Sequence, residues 1–131
     1  MQYLLTIYAD ESLWTNASPE DVDRTMAAYG ALGEEMKAAG VILGGEGLQS
    51  SSTATTVKVR DGETITTDGP FAETREQLGG YYLVDVKDLD EAIHWAAKIP
   101  DAARGTVEVR PVMDYEAMGN ADAHAQTESR A

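Results

Sequence analysis

Ala54-Thr55-Thr56-Val57-Lys58-Val59-Arg60-Asp61-Gly62-Glu63-Thr64-Ile65-Thr66-Thr67 decides how this chain of 131 residues is built. Two β-branched runs, Ala54 to Arg60 and Glu63 to Thr67, flank Asp61-Gly62, the strongest short hairpin signal in the sequence. Antiparallel pairing is expected there, in the middle of the chain, and the segments on either side each read as strand, helix, strand.

On the N-terminal side, Tyr3 to Ala9 is β-rich and apolar at successive positions, which predicts a central strand covered on both faces. Asp10 to Ala17 is a polar connection whose Trp14 is expected to pack on the domain or on a partner. Ser18-Pro19-Glu20-Asp21 starts a helix: serine caps, proline suits the first turn, and the carboxylates face the positive end of the dipole. Val22, Met26, Tyr29, Gly33 and Met36 fall on its apolar face and Gly40 ends it. Gly33 on that face suggests close approach to a strand. Val41 to Leu48 reads as a strand interrupted at Gly44-Gly45 by a bulge or a close backbone approach.

On the C-terminal side come a strand over Gly80 to Val86, a helix over Leu89 to Ile99 and a last strand over Thr106 to Val112. The second helix turns Leu89, Ala92, Ile93 and Ala96 inward and stops at Pro100. From Glu116 onward the chain is small and polar without periodicity, so a domain over 1–115 and a frayed tail over 116–131 are expected. The order is a split β-α-β plan with an inserted hairpin, an α+β domain. Helices on one face leave the other face of the sheet bare, and a homodimer is the economical cover.

Ten Lys and Arg against 23 Asp and Glu give a net charge of -13, which repels nucleic acid and anionic membrane surfaces. Such acidity serves solubility or attracts a basic partner. The absence of cysteine excludes disulfides and thiolate chemistry. The N-terminus has no basic leader and too short an apolar run to span a bilayer, so a cytoplasmic location is expected.

Chemistry concentrates after the hairpin. In Asp68-Gly69-Pro70-Phe71 the glycine permits positive φ and the proline fixes its own, making a rigid corner that preorganises a carboxylate. Glu73, Arg75 and Glu76 follow. On one reading Asp68 is turn chemistry and the later charges are solvated. On the other, Asp68 is a general base or ligand and Arg75 orients an anionic substrate or pairs with a carboxylate. Glu46 is placed to share a cavity with Asp68, where paired carboxylates divide acid and base roles, or else is a solvent-facing strand residue. His94 points away from the core and His124 lies in the tail, a poor pair for a metal, and no metal or cofactor is expected. Tyr3, Tyr8, Tyr29, Tyr81 and Tyr82 read as core or interface rings. Gly79-Gly80 precedes a strand, so it is no phosphate loop.

Asp68 to Glu76, with Gly79-Gly80-Tyr81-Tyr82 and Val107-Glu108-Val109-Arg110-Pro111, resembles the DGPF branch of the YCII-related family. Tyr3 to Asp10, Ala39-Gly40-Val41 and Gly45-Glu46-Gly47-Leu48 fit the same pattern. The resemblance implies a ferredoxin-like α+β fold that dimerises through its sheets into an α-β barrel, with a cleft near the DGPF segment. It carries over to Asp68 as the catalytic candidate and to Phe71, Glu73, Arg75 and Glu76 as substrate contacts, with Glu46 beside them. Related proteins carry a His and Asp pair in the cleft, whereas no histidine precedes His94 here, which speaks against histidine catalysis. Two functions follow: a cofactor-free enzyme on a small polar metabolite, or a non-catalytic regulatory or ligand-binding partner, for example one linked to alternative sigma factors.

Overall fold

Along the first strand, Tyr3, Leu5 and Ile7 are buried while Leu4, Thr6 and Tyr8 between them are half-buried, the two-residue alternation of a sheet packed hard on one side. The computed structural model of the protein describes residues 1–119. In order these form β1 (Gln2–Ala9), α1 (Ser12–Thr15), α2 (Pro19–Ala38), β2 (Ile42–Gly47), β3 (Thr55–Arg60), β4 (Glu63–Asp68), β5 (Gln77–Asp85), α3 (Leu89–Ala97), β6 (Thr106–Pro111) and α4 (Tyr115–Met118). Short 3-10 turns lie at Ser51–Thr53 and Pro100–Ala103.

The fold is α+β. Four strands make one sheet in the order β2-β5-β1-β6, with every neighbouring pair antiparallel. That sheet is open within the single chain. β3 and β4 form a separate two-stranded hairpin, registered from Thr55 opposite Asp68 to Arg60 opposite Glu63. Its turn places Asp61 at φ 52° and Gly62 at φ 77°, the doubly positive geometry that matches the twist of the strands.

The core lies between the sheet and α2 and α3. Leu5, Met36, Val84 and Ile99 are its largest fully buried members. The cover expected on both faces of β1 is complete on this face only.

α2 begins as its sequence dictates, with the Ser18 hydroxyl accepting from Asp21 N at 3.1 Å. It ends where Gly40, at φ 70°, lets Val41 N reach back to Met36 O at 3.1 Å. Its buried residues are Leu32 and Met36, however, and Met26 is 57% exposed. The first half of the helix stands off the sheet, so the expected stripe is packed only in the second half. A Cβ at Gly33 would meet nothing within 4 Å, so no strand approaches there.

α3 buries Ala92, Trp95 and Ala96, leaving Leu89 and Ile93 each 48% exposed. The helix is rotated from the expected face because the large Trp95 ring takes the core position. His94 remains exposed, its ring edge against Trp95 at a centroid distance of 5.3 Å.

In β2 the register shifts between Ile42 and Gly44, and a Cβ at Gly45 would lie 2.7 Å from Tyr81 O. The break in this strand is thus both a bulge and a close approach. Beyond β6, Asp114 caps the single turn of α4, so residues 115–118 are ordered helix where a frayed tail was expected from Glu116. The rest of that segment, with His124, lies outside the described residues. Among the described residues no helix is long and apolar enough to cross a membrane.

Candidate functional site

The register of the sheet creates a cavity. Gly47 lies opposite Gly80, Gly80 opposite Ile7, and Gly45 opposite Tyr82, so these residues share the face that carries the buried Ile7. Gly45, Gly47 and Gly80 in that row leave room between the sheet and the first half of α2. The outcome is a cleft of about 570 Å³, floored by Gly45, Gly47, Gly79 and Gly80. Its walls include Trp14 of α1 and Met26 and Tyr29 of α2. At Gly80 a Cβ would lie 2.8 Å from Glu46 O, so strand proximity forbids a side chain; at Gly47 it would meet nothing within 4 Å, because the residue faces the opening.

Asp101 also lines this cleft. It sits in the 3-10 turn after α3, is 5% exposed, and accepts hydrogen bonds from the Tyr29 hydroxyl and, at 2.7 Å, from Arg104 Nε. Burial first, then the hydrogen bond to Asp101 and its charge, push the Tyr29 phenol above the usual tyrosine range. Tyr29 is therefore a neutral phenol at physiological pH. Its single proton is directed to Asp101, which leaves its oxygen lone pairs free to accept. Burial likewise raises the Tyr82 phenol.

Glu11, also at the cleft, ties the loop after β2 to the sheet. Its carboxylate accepts from Ser51 N at 2.6 Å and from Ser51 Oγ at 2.8 Å, while its own N–H donates to Gln77 Oε1 at 2.9 Å. Among the described residues no Lys, Arg or His lines the cleft.

Of the residues singled out in the sequence, Phe71 and Glu76 line a second groove of about 730 Å³, on the hairpin side of the same loop. Phe71 is 88% exposed, and Glu76 accepts from Thr106 Oγ1 at 2.9 Å. Asp68 ends β4, is exposed and lines neither cavity. Its corner is held by main-chain groups: Gly69, at φ 96°, donates to Ala54 O at 2.7 Å and accepts from Thr56 Oγ1 at 2.7 Å. Glu73 and Arg75 are exposed, outside both cavities, and neither has an ion pair among the described residues.

Glu46 lines the first cleft, but its register opposite Tyr81, itself opposite Thr6, directs its side chain to the other face of the sheet. It reaches the cleft through its main chain, whereas Asp68 reaches neither cavity. Leu48, Gln49, Ser50 and Gln77 line both cavities and form the wall between them.

Sequence reasoning did not find Tyr29, Asp101, Glu11 or Trp14 as site residues. One signal was available: Asp101 is a lone carboxylate in the apolar run Ile99-Pro100-Asp101-Ala102-Ala103, and such a group asks for a partner. Among the described residues no three His, Asp or Glu side chains are grouped as metal ligands would be.

Fold and cleft together define a small α+β protein with a cavity held between helix and sheet. The family model of the YCII-related domain matches residues 1–116, and the chain belongs to this family. It is also 39% identical over 118 residues to a protein of Rhizobium meliloti (strain 1021) described as uncharacterized, a match covering 88% of this chain and 95% of that one.

Proposed function

We propose that this protein is a cofactor-free enzyme performing acid-base chemistry on a small polar metabolite in the glycine-floored cleft. The observation that carries this reading is the buried Asp101 carboxylate accepting from Tyr29 at the cleft wall. A substrate proton passes to the Tyr29 oxygen as the phenol proton passes to Asp101. The substrate gains the negative charge, Asp101 becomes neutral, and the reverse relay returns the proton. Tyr29 and Asp101 are favoured over Asp68 because they are desolvated beside a cavity, whereas Asp68 is in water.

The test is a metabolite screen by NMR on the full chain. Binding compounds are expected to shift the amides of Gly45, Gly47 and Gly79, and Gly47→Trp, which fills the opening, to abolish those shifts. For a compound that is turned over, Tyr29→Phe is expected to lower kcat at least tenfold and Asp68→Asn to leave it within twofold. Hits that map instead to Asp68 and its neighbours would return the chemistry to that corner.

The proposal extends to a ferredoxin-like plan, supported by the order β2-β5-β1-β6 with the hairpin outside it, and to a homodimer that closes an α-β barrel. Support for the dimer comes from the face of the sheet opposite the helices, where Leu4, Tyr8, Tyr81 and Leu83 are half-buried. The hairpin adds Val57, Val59 and Ile65 in solvent, and a two-stranded ribbon is at best marginal without a neighbour. Sedimentation equilibrium at micromolar concentration is expected to give twice the chain mass, and the Tyr8→Lys, Leu83→Lys double variant to give the monomer. A monomeric parent protein rules the assembly out.

A further inference from the structure

We propose that the ligand of the glycine-floored cleft is a small organic amine, bound as its ammonium; this rests on the reading above that the cleft is the working site. Ionisable side chains at the cleft include the carboxylates of Glu11 and Asp101, and among the described residues no Lys, Arg or His lines it. Arg104 is bound to Asp101 and offsets a single charge. An anionic ligand would meet like charge with nothing to balance it, in a chain whose net charge is already -13.

Hydrogen-bonding capacity points the same way. Each carboxylate oxygen of Glu11 and of Asp101 already accepts one bond and has a second lone pair, while the Tyr29 oxygen has spent its proton on Asp101. The carboxylates at the cleft therefore have acceptor capacity to spare. An ammonium brings donors and no acceptor, which is the complement of that set. The rings of Trp14, Tyr29 and Tyr82 also line the cleft, and aromatic faces attract a cation.

Size and shape specify the rest of the molecule. A cavity of about 570 Å³ is far larger than an ammonium ion, so the charge belongs to an organic body. The floor of Gly45, Gly47, Gly79 and Gly80 offers flat peptide surface without side chains, which suits a planar or narrow body lying on the sheet.

The experiment compares three probes of matched shape on the full chain by NMR: phenethylamine, 2-phenylethanol and phenylacetate. Phenethylamine is expected to shift the Trp14 indole and the Gly47 and Gly79 amides saturably and to bind at least tenfold more tightly than 2-phenylethanol. Phenylacetate is expected to leave those signals unmoved. Raising sodium chloride from 50 to 500 mM should weaken the amine and spare the alcohol, since only the former depends on charge. If 2-phenylethanol or phenylacetate binds in the cleft as tightly as the amine, the amine assignment is wrong and the cleft stands. Amine shifts confined to surface carboxylates also overturn the assignment. Should none of the three probes move the cleft signals, both the assignment and the cleft as working site fall.

Discussion

Asp101→Ala is expected to lower the stability of the folded chain by about 2–3 kcal/mol, measured by chemical denaturation. The side chain is 7% exposed and holds two partners, so its removal strands the Tyr29 hydroxyl and the Arg104 guanidinium together. Losing one partner of a fully buried ion pair costs about 3–5 kcal/mol, and the lower figure here reflects that Arg104, at 36% exposure, can turn to water. Asp68→Ala, at an exposed position, is expected to change stability by less than about 0.5 kcal/mol. Equal small effects at the two positions would remove Asp101 as an organising group.

The same variant has a signature in alkaline solution. Because the folded-state value of Tyr29 lies above the ordinary 10.0, the folded chain holds this proton more tightly than the unfolded one. The stability Tyr29 contributes is therefore complete below pH 10 and is lost as pH rises beyond it. Asp101→Ala removes the acceptor and the charge but not the burial, so the phenol should ionise at lower pH than in the parent. Ultraviolet titration of the phenolate band measures this directly.

Gly105→Ala is expected to cost about 2–3 kcal/mol, at the upper end of what overpacking costs. A Cβ there collides with the carbonyl oxygen of Tyr8 and comes within 3.0 Å of the Ala9 Cβ. Neither neighbour can yield cheaply, because β1 is paired on both sides, to β5 and to β6. The close approach also positions chemistry: Gly105 N donates to Asp101 O at 2.7 Å, so the turn that carries Asp101 is drawn against the end of β1. Gly47→Ala, where a Cβ meets nothing within 4 Å, is the control and is expected to be near neutral. A Gly105→Ala chain as stable as that control defeats this account.

Local chemistry explains which parts of the fold were legible in the chain. Ser18-Pro19, Asp61-Gly62 and the Gly44-Gly45 break act over a few residues, and each does what its backbone preferences require. The stripes of α2 and α3 were misjudged because periodicity reports which residues share a face, and not how much of that face finds a neighbour. Met26 has the right spacing, but it stands over the glycine-floored cleft and stays 57% exposed.

The site was harder to read. Tyr29 and Asp101 are 72 residues apart and meet only because the turn after α3 folds back beneath α2. The corner at Asp68 stood out in the sequence because its signature is contiguous, which marks a shape and leaves the location of the cavity unstated.

A pocket whose base is bare peptide has an unusual genetics. Deleting side chains one by one, the ordinary way to map a binding site, leaves Gly45, Gly47, Gly79 and Gly80 untouched, since there is nothing to delete. The floor contributes shape by what it lacks, and only adding bulk reveals it. Selectivity is then adjustable from the side chains around the floor, Trp14, Met26, Tyr29, Glu11 and Asp101 among them, while the glycine base stays the same for every such variant.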